Sequence, residues 1–453
     1  MLFRKKPLFP ERENRELIAG QGVRLREAVE VVACRRNWTH RQLRDHQLTA
    51  LQSLLTDAQA NVPFYREKYR AAGFEASRLR SLEDLIAVPV VSKSELRNAS
   101  LGSLKNAGHS EPVRLFSSSG STGTPSRHYR EERALWHSMA RSLAIYFDWC
   151  GGKPLGNALY FIDLAPGSID LALADLLRTT VMESQILPSS AASEELVDAV
   201  ERHQPEFLSS YPSTLRNVAI AMRKRGRVWN GLRLLHLTSE MLDAGTRGLL
   251  AKVFPNARIV ETYTSSEAGL IASTCPKHDD RLHIAEDGIL LEIVDAEGRP
   301  TDGVGEIVVT DLTNRSTPFL CYRGLGDFGR WGPTECDCGS IFRSIRQLEG
   351  RLADSIRTPN GDWLSPFALI DAIEDLPGIF QFQIVQEHET ELFVRIIPEV
   401  ASSNEALRGA ITRALHNLVP GIAVRVEFVR VIPSENARHK VPLVISRIPS
   451  KPS

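Results

Sequence analysis

The stretch Ser117-Ser118-Ser119-Gly120-Ser121-Thr122-Gly123-Thr124-Pro125 joins small hydroxyl side chains to two glycines, with nothing bulky among them. Glycine admits the φ > 0 conformations that turn successive backbone N–H groups inward, and the hydroxyls add donors. Such a loop can grip the phosphates of a nucleotide without a fixed positive charge. It is not a Walker-type loop, because no Gly-Lys-Ser/Thr closes it. The same composition would serve a flexible linker, so the loop gains its meaning from motifs further along the chain.

There are four such motifs. Glu261-Thr262-Tyr263-Thr264-Ser265-Ser266-Glu267 comes after the strand-like Ile259-Val260. Ligands of an α/β sheet bind at the carboxyl ends of its strands. There an aromatic ring can stack on a base, a hydroxyl can bond a phosphate, and a carboxylate can hold Mg²⁺ between phosphates. A plain polar turn would look the same. In Tyr322-Arg323-Gly324-Leu325-Gly326-Asp327 the aspartate can accept both hydroxyls of a ribose, or simply finish a β-turn. Gly350-Arg351-Leu352-Ala353-Asp354 falls where the composition changes and can act as a hinge. Ile432-Pro433-Ser434-Glu435-Asn436-Ala437-Arg438-His439-Lys440 puts a lysine in a polar loop near the C terminus. It could swing into a site and neutralise developing phosphate charge, or belong to a solvated basic tail.

The six cysteines do not read as a disulfide framework in a long chain without an export signal. Cys275-Pro276-Lys277-His278 and Cys336-Asp337-Cys338-Gly339 instead look like two halves of one structural zinc site, which takes four N/S ligands. His283, on a strand-like segment, is an alternative ligand, and two reduced cysteine turns without metal remain open. Cys34, Cys150 and Cys321 lack partners and are expected to be buried thiols.

These residues need elements to position them. Residues 40–73 have apolar residues at helical spacing, with a break at residues 61–65. Val113, Leu115 and Phe116 suggest a strand feeding the phosphate-type loop, and a helix comes next over 131–145. Between 131 and 270 strand-like and helix-like segments alternate, with strands at 159–162, 207–209, 232–237 and 258–261. That alternation predicts an α/β domain with a largely parallel sheet. From 282 to 345 short alternating strands separated by glycine turns predict a β-rich subdomain, with strands at 288–294, 305–309 and 318–322. After residue 350 a compact α+β pattern predicts a small, mobile C-terminal domain. The expected division is therefore 1–350 and 351–453.

Charge and hydropathy exclude some classes. The formal net charge is +0, which gives no global electrostatic case for nucleic acid or an anionic membrane. Basic residues at the start have no apolar run behind them, so no signal peptide is expected. No apolar run is long enough for a membrane span. A cytoplasmic location is the expectation, and the oligomeric state stays open, a dimer included.

Taken in order, these motifs resemble the adenylate-forming superfamily of acyl-CoA synthetases, adenylation domains and luciferases. The likeness is closest to the phenylacetate–coenzyme A ligase branch and its capsule-biosynthesis-type relatives. Asn61-Val62-Pro63-Phe64-Tyr65, Ser81-Leu82-Glu83-Asp84-Leu85 and Pro89-Val90-Val91-Ser92-Lys93 look like that branch's N-terminal region, and the resemblance spans about residues 45 to 447. It implies ATP- and Mg²⁺-dependent activation of a carboxylic acid to an acyl-AMP, then acyl transfer to coenzyme A. Transfer to an amine, a hydroxyl or a carrier-protein thiol is the alternative, and a catalytically silent nucleotide-binding protein is a third reading.

By that resemblance Ser118, Ser119, Gly120, Ser121, Thr122, Gly123 and Thr124 would hold the β,γ-phosphates. Tyr263 would stack on adenine beside Thr264, Ser266 would bond the α-phosphate, and Glu267 would bind Mg²⁺. Asp327 would hold the ribose, Arg351 would contact ribose or phosphate, and Lys440 would bridge carboxylate and α-phosphate. Ser239 and Glu240 fall where the family has a Gly-Glu-like segment beside adenine and the acyl pocket. Cys pairs are common in the branch at both cysteine turns, with His278 standing where a second Cys is usual. Departures are Ser126-Arg127 after Pro125 where Lys is frequent, Thr264 for Gly, Ala353 for an acidic hinge residue, and His439 for Gly before Lys440.

Overall fold

A computed structural model describes residues 14–117, 127–149, 156–163, 184–240, 242–295, 297–346, 348, 356–360, 363–364, 366–374, 376–398, 404–430, 432 and 443–448. Helix α1 (Asn14–Arg35) buries Leu25, Ala28 and Val32, at i, i+3 and i+7, in a cluster with Trp136, Met139 and Ala140. Cys34 stands off that stripe and is exposed, unlike the buried thiol expected, whereas Cys321 is buried. Cys150 lies outside the described residues.

Helix α2 (His40–Asn61) begins at a capping box. Thr39 Oγ1 accepts from the Gln42 N–H at 3.3 Å, and Gln42 Oε1 accepts from the Thr39 N–H at 2.8 Å. Such a cap contributes about 1 kcal/mol. The anticipated break shrinks to Val62, because Pro63 is the first residue of α3 (Pro63–Ala72), where its missing N–H costs nothing. Tyr65 of α3 is buried; its hydroxyl donates to the Pro318 carbonyl (2.7 Å) and accepts from the Leu320 N–H (3.2 Å). These bonds take up backbone groups of a segment expected to be strand, and only its last residue, Tyr322, lies in the observed strand Tyr322–Arg323.

Strands β1 (Val113–Ser117) and β2 (Arg127–Glu131) pair antiparallel from Val113–Glu131 to Ser117–Arg127. The phosphate-type loop is thus the connection of a hairpin. Helix α4 (Glu132–Trp149) leaves it directly.

The main sheet contains β3 (Ala158–Phe161), β4 (Ser184–Leu187), β5 (Phe207–Ser210), β6 (Leu234–Thr238), β7 (Arg258–Ser265), β8 (Gly269–Thr274) and β9 (Arg281–Ile284). Strands β10 (Ile289–Val294), β11 (Gly305–Asp311) and β12 (Tyr322–Arg323) build a second sheet with Val91–Ser92 and Phe328–Gly329. Strand β13 (Ser344–Arg346) returns to the main sheet, whose order is β13-β9-β8-β7-β6-β5-β3-β4. From β4 to β7 all neighbours are parallel; from β7 to β13 they are antiparallel. Parallel strands need crossovers, and helices α5 (Ser193–His203), α6 (Pro212–Lys224) and α7 (Ala244–Val253) supply three of them. Their apolar faces share a core with Leu159, Phe161, Leu208, Leu235 and Leu237, each contributing about 1.5–3 kcal/mol when fully buried.

The last segment has its own core. Helices α8 (Pro366–Glu374) and α9 (Asn404–Leu418) bury Leu369, Ile373, Leu407, Ile411 and Leu415 against a four-stranded sheet. Its strands are β14 (Ile379–His388), β15 (Glu391–Pro398), β16 (Ala423–Phe428) and β17 (Val444–Ser446), in the order β16-β15-β14-β17. The α/β class, the β-rich region and the terminal α+β unit match the pattern of the sequence. No helix among the described residues is long and apolar enough to cross a membrane.

Candidate active site

Strand β7 was expected to stop at Glu261 and instead runs to Ser265. Its extension is held by β8, which returns antiparallel with Thr262 opposite Ser273 and Tyr263 opposite Ala272. Only Ser266, Glu267 and Ala268 remain as the turn. Gly269 closes it at φ +70°, and a Cβ there would lie 2.6 Å from Ser138 Oγ, so both the conformation and the space call for glycine.

On this ridge Tyr263 is buried, and its hydroxyl donates to Asp327 Oδ2 at 2.8 Å. The two residues expected at base and ribose are therefore joined across two sheets. Ser266 Oγ donates to Glu267 Oε2 at 2.8 Å. The exposed Thr264 brings Oγ1 within 3.2 Å of Thr238 Oγ1 at the end of β6. Ser239 comes next with φ +66°, a left-handed conformation that costs a side-chain-bearing residue roughly 1–2 kcal/mol. Glu240 Oε2 accepts from the Ser213 N–H at 2.9 Å, placing a negative charge on the N-terminal turn of α6. Glu261, further down β7, is buried; burial raises its carboxyl to about 7, with Arg247 opposing the rise.

The structure thus gathers Tyr263, Thr264, Ser266, Glu267, Asp327, Ser239 and Glu240 around the ends of β6 and β7. Ser118, Ser119, Gly120, Ser121, Thr122, Gly123, Thr124, Arg351 and Lys440 lie outside the described residues.

Sequence reading missed the residues beneath the turn. On β2, His128 and Arg130 face inward and are buried at 1% and 0% exposure. Arg130 Nη1 donates to the Glu267 carbonyl (2.5 Å), and Nη2 donates to Asp311 Oδ2 (3.1 Å), itself fully buried. His128 Nε2 lies 2.8 Å from the Ser266 carbonyl. Burial lowers the His128 imidazole to about 4. Arg127-His128-Tyr129-Arg130-Glu131 is polar throughout, so nothing in its composition marked an inward face.

The cysteine turns meet at the edge of the main sheet. Cys275 comes just after β8, and Cys336 and Cys338 precede β13. Cys275 Sγ and Cys336 Sγ are 3.6 Å apart, and Cys338 Sγ is 3.2 Å from His283 Nε2. Donor atoms of Cys275, His283, Cys336 and Cys338 all lie within 4.8 Å of one another. His283 sits on β9, between the strands that carry the two turns, opposite Ser273 and Ser344. Its Nδ1–H donates to the Phe342 carbonyl at 2.8 Å, which leaves the Nε2 lone pair for a metal. Backbone N–H groups of Lys277 and Ser340 point at Cys275 Sγ and Cys338 Sγ, each at 3.4 Å. This donor set fits a metal ion. His278, expected as the fourth ligand, places Nε2 2.5 Å from Asp337 Oδ1 and groups with Asp337 and Cys336 within 4.8 Å, apart from the set that contains Cys275 and Cys338.

Residues 39–313 match the AMP-binding enzyme family. The phenylacetate-coenzyme A ligase of Thermus thermophilus is 28% identical over 380 residues, covering 78% of this chain and 82% of its own length. The phenylacetate-coenzyme A ligase of Pseudomonas putida is 28% identical over 324 residues, covering 69% and 72%. Among solved structures, a 2-hydroxyisobutyryl-CoA ligase in its postadenylation state has a TM-score of 0.73 at 23% identity over 88% of each chain, a likeness of fold.

Proposed function

The chain belongs to the AMP-binding enzyme family, in the phenylacetate–coenzyme A ligase-like branch of the adenylate-forming enzymes, and on that premise we propose how its residues divide the work. The enzyme is an adenylate-forming ligase that uses ATP and Mg²⁺ to activate a carboxylic acid. A carboxylate oxygen attacks the α-phosphorus of ATP and pyrophosphate leaves. The thiol of coenzyme A then attacks the acyl carbon of the adenylate, and AMP leaves. Both first-step reactants are anionic, so rate comes mainly from positioning and charge stabilisation.

The observation that carries the assignment is the Tyr263–Asp327 hydrogen bond, with Ser266 and Glu267 on the adjoining turn. It supports Tyr263 as the adenine platform and Asp327 as the ribose acceptor. Ser266 bonds the α-phosphate, and Glu267 holds Mg²⁺, which neutralises phosphate charge when bound. The loop from Ser118 to Thr124 cradles the β,γ-phosphates. Arg351 contacts ribose or phosphate, and Lys440 reaches the site from a C-terminal domain (351–453) that moves against the rest (1–350).

Pyrophosphate release across a panel of aryl, aliphatic and amino acids, with and without coenzyme A, tests this reading. Release with at least one acid and a thioester product are expected. An adenylate that passes only to an amine, hydroxyl or carrier thiol would replace coenzyme A as acceptor. No release with any acid would favour a silent nucleotide-binding protein.

The metal is zinc with a structural role in this reading, since four protein donors leave no position for a reactive water. It would be held by Cys275, Cys336, Cys338 and His283. Purified protein should then contain about one zinc per chain. His283→Ala should lose the ion and melt lower, because metal binding is coupled to folding; His278→Ala should keep it. Protein grown with ample zinc but containing none would overturn the site. Loss from His278→Ala alone would restore the ligand set expected from sequence.

A further inference from the structure

We propose that His128 is a positioning residue for the adenylation site, holding the Ser266-Glu267 turn rigidly to the hairpin that carries the phosphate loop. This role presupposes that Ser266 and Glu267 bind the α-phosphate and Mg²⁺.

His128 is the second residue of β2 and lies opposite Phe116 in the hairpin. Two residues further along the same strand face is Arg130. Together they hold two consecutive carbonyls of the turn, His128 that of Ser266 and Arg130 that of Glu267. A carbonyl only accepts, so His128 carries its proton on Nε2. Its Nδ1 is then a buried acceptor with no partner.

The surroundings of His128 suit a different residue. Its ring meets Phe319 edge-on at 5.3 Å and lies 6.3 Å from Phe116. An apolar ring would bury no unpaired nitrogen, but it would leave the Ser266 carbonyl without a donor. A histidine here exchanges packing for one hydrogen bond, and that bond goes to the residue before Glu267.

The hairpin itself is braced. Asn314 Nδ2 donates to the Tyr129 carbonyl (3.0 Å), the Glu131 N–H donates to Asn314 Oδ1 (3.2 Å), and the Tyr129 N–H donates to Thr317 Oγ1 (3.1 Å). These bonds fix the hairpin to residues 314–317, and His128 and Arg130 fix the turn to the hairpin. The Glu267 turn and the last paired residues of the hairpin, Ser117 and Arg127, then keep a fixed separation before nucleotide arrives, which is what preorganised charge stabilisation requires.

The test compares wild type, His128→Phe, His128→Gln and Glu267→Gln in pyrophosphate release, each titrated with Mg²⁺ at saturating ATP, alongside melting temperature. His128→Phe, which leaves the Ser266 carbonyl without its donor, should need about tenfold more Mg²⁺ for half-maximal rate, the size of one lost preorganised hydrogen bond, and the melting temperature separates that shift from a loss of fold. His128→Gln, which retains an N–H donor, should recover most of that shift. Wild-type Mg²⁺ dependence in His128→Phe, or equal impairment of the Phe and Gln variants, would overturn the proposal. If His128→Phe does not fold, His128→Met replaces it and is judged by the same criterion. Normal Mg²⁺ dependence in Glu267→Gln would remove the metal role of Glu267 itself; impairment there with a normal His128→Phe would remove only the clamp.

Discussion

Lys440→Ala is expected to slow acyl-adenylate formation by about 10²–10³-fold while leaving ATP binding intact. Deleting one donor that acts only on developing charge costs about 2.7–4 kcal/mol in comparable sites. The carboxylate and the α-phosphate approach each other as anions, so their repulsion is greatest in the transition state. In its proposed role the Lys440 ammonium would act on that state and little on bound ATP. ATP–pyrophosphate exchange and nucleotide binding, measured on the same preparation, separate the two effects. Wild-type exchange in the variant would remove Lys440 from the reaction. Loss of ATP binding together with exchange would make it a ground-state ligand instead.

Asp311→Asn is expected to be the most damaging single change to stability, by about 3–5 kcal/mol, because it leaves the guanidinium of Arg130 buried without its counter-charge. Both side chains are at 0% exposure and 3.1 Å apart. Asp311 also accepts from the Thr313 N–H (2.9 Å) and hydroxyl (2.6 Å), so its carboxylate is fixed on both sides. The melting temperature should fall by roughly 5 °C or more in a chain of this size. Replacing both partners, as Arg130→Met with Asp311→Leu, should recover much of the loss, since a buried ion pair is often no better than apolar residues of similar volume. Activity should not recover with it, because the Glu267 carbonyl loses its donor. An Asp311→Asn protein that melts within a degree of wild type would mean that Arg130 finds another counter-charge.

How much could be read beforehand differs by kind of residue. The loop from Ser118 to Thr124, Tyr263, Ser266, Glu267, Asp327 and Lys440 were singled out because they belong to short motifs whose order along the chain resembles that of the adenylate-forming enzymes. Helices α2 and α5–α7 were legible because their apolar residues recur at the helical period, and the strands between them because they are short apolar runs. The end of β7 was not. A strand's length depends on its partner, and β8 pairs with the polar residues Thr262 to Ser265, which alone look like a turn.

The candidate metal ligands divide along the same line. Local spacing made Cys336 and Cys338 a pair and suggested Cys275 with His278. The structure sets His283 with the three thiols instead, because antiparallel pairing of β9 with β8 and β13 brings that strand between the two turns, while His278 projects toward Asp337. His128, Arg130 and Asp311 left no trace in the sequence as a group. Arg130 and Asp311 are separated by 181 residues, and a charged residue on a strand is by default a solvated one. Each motif is a contiguous segment, so the kind of chemistry it suggests can be read without knowing the fold. Which side chains hold the turn, and which histidine lies with the three thiols, depends on the fold. Burial and strand register are set by partners far away in the chain, and no local pattern encodes them.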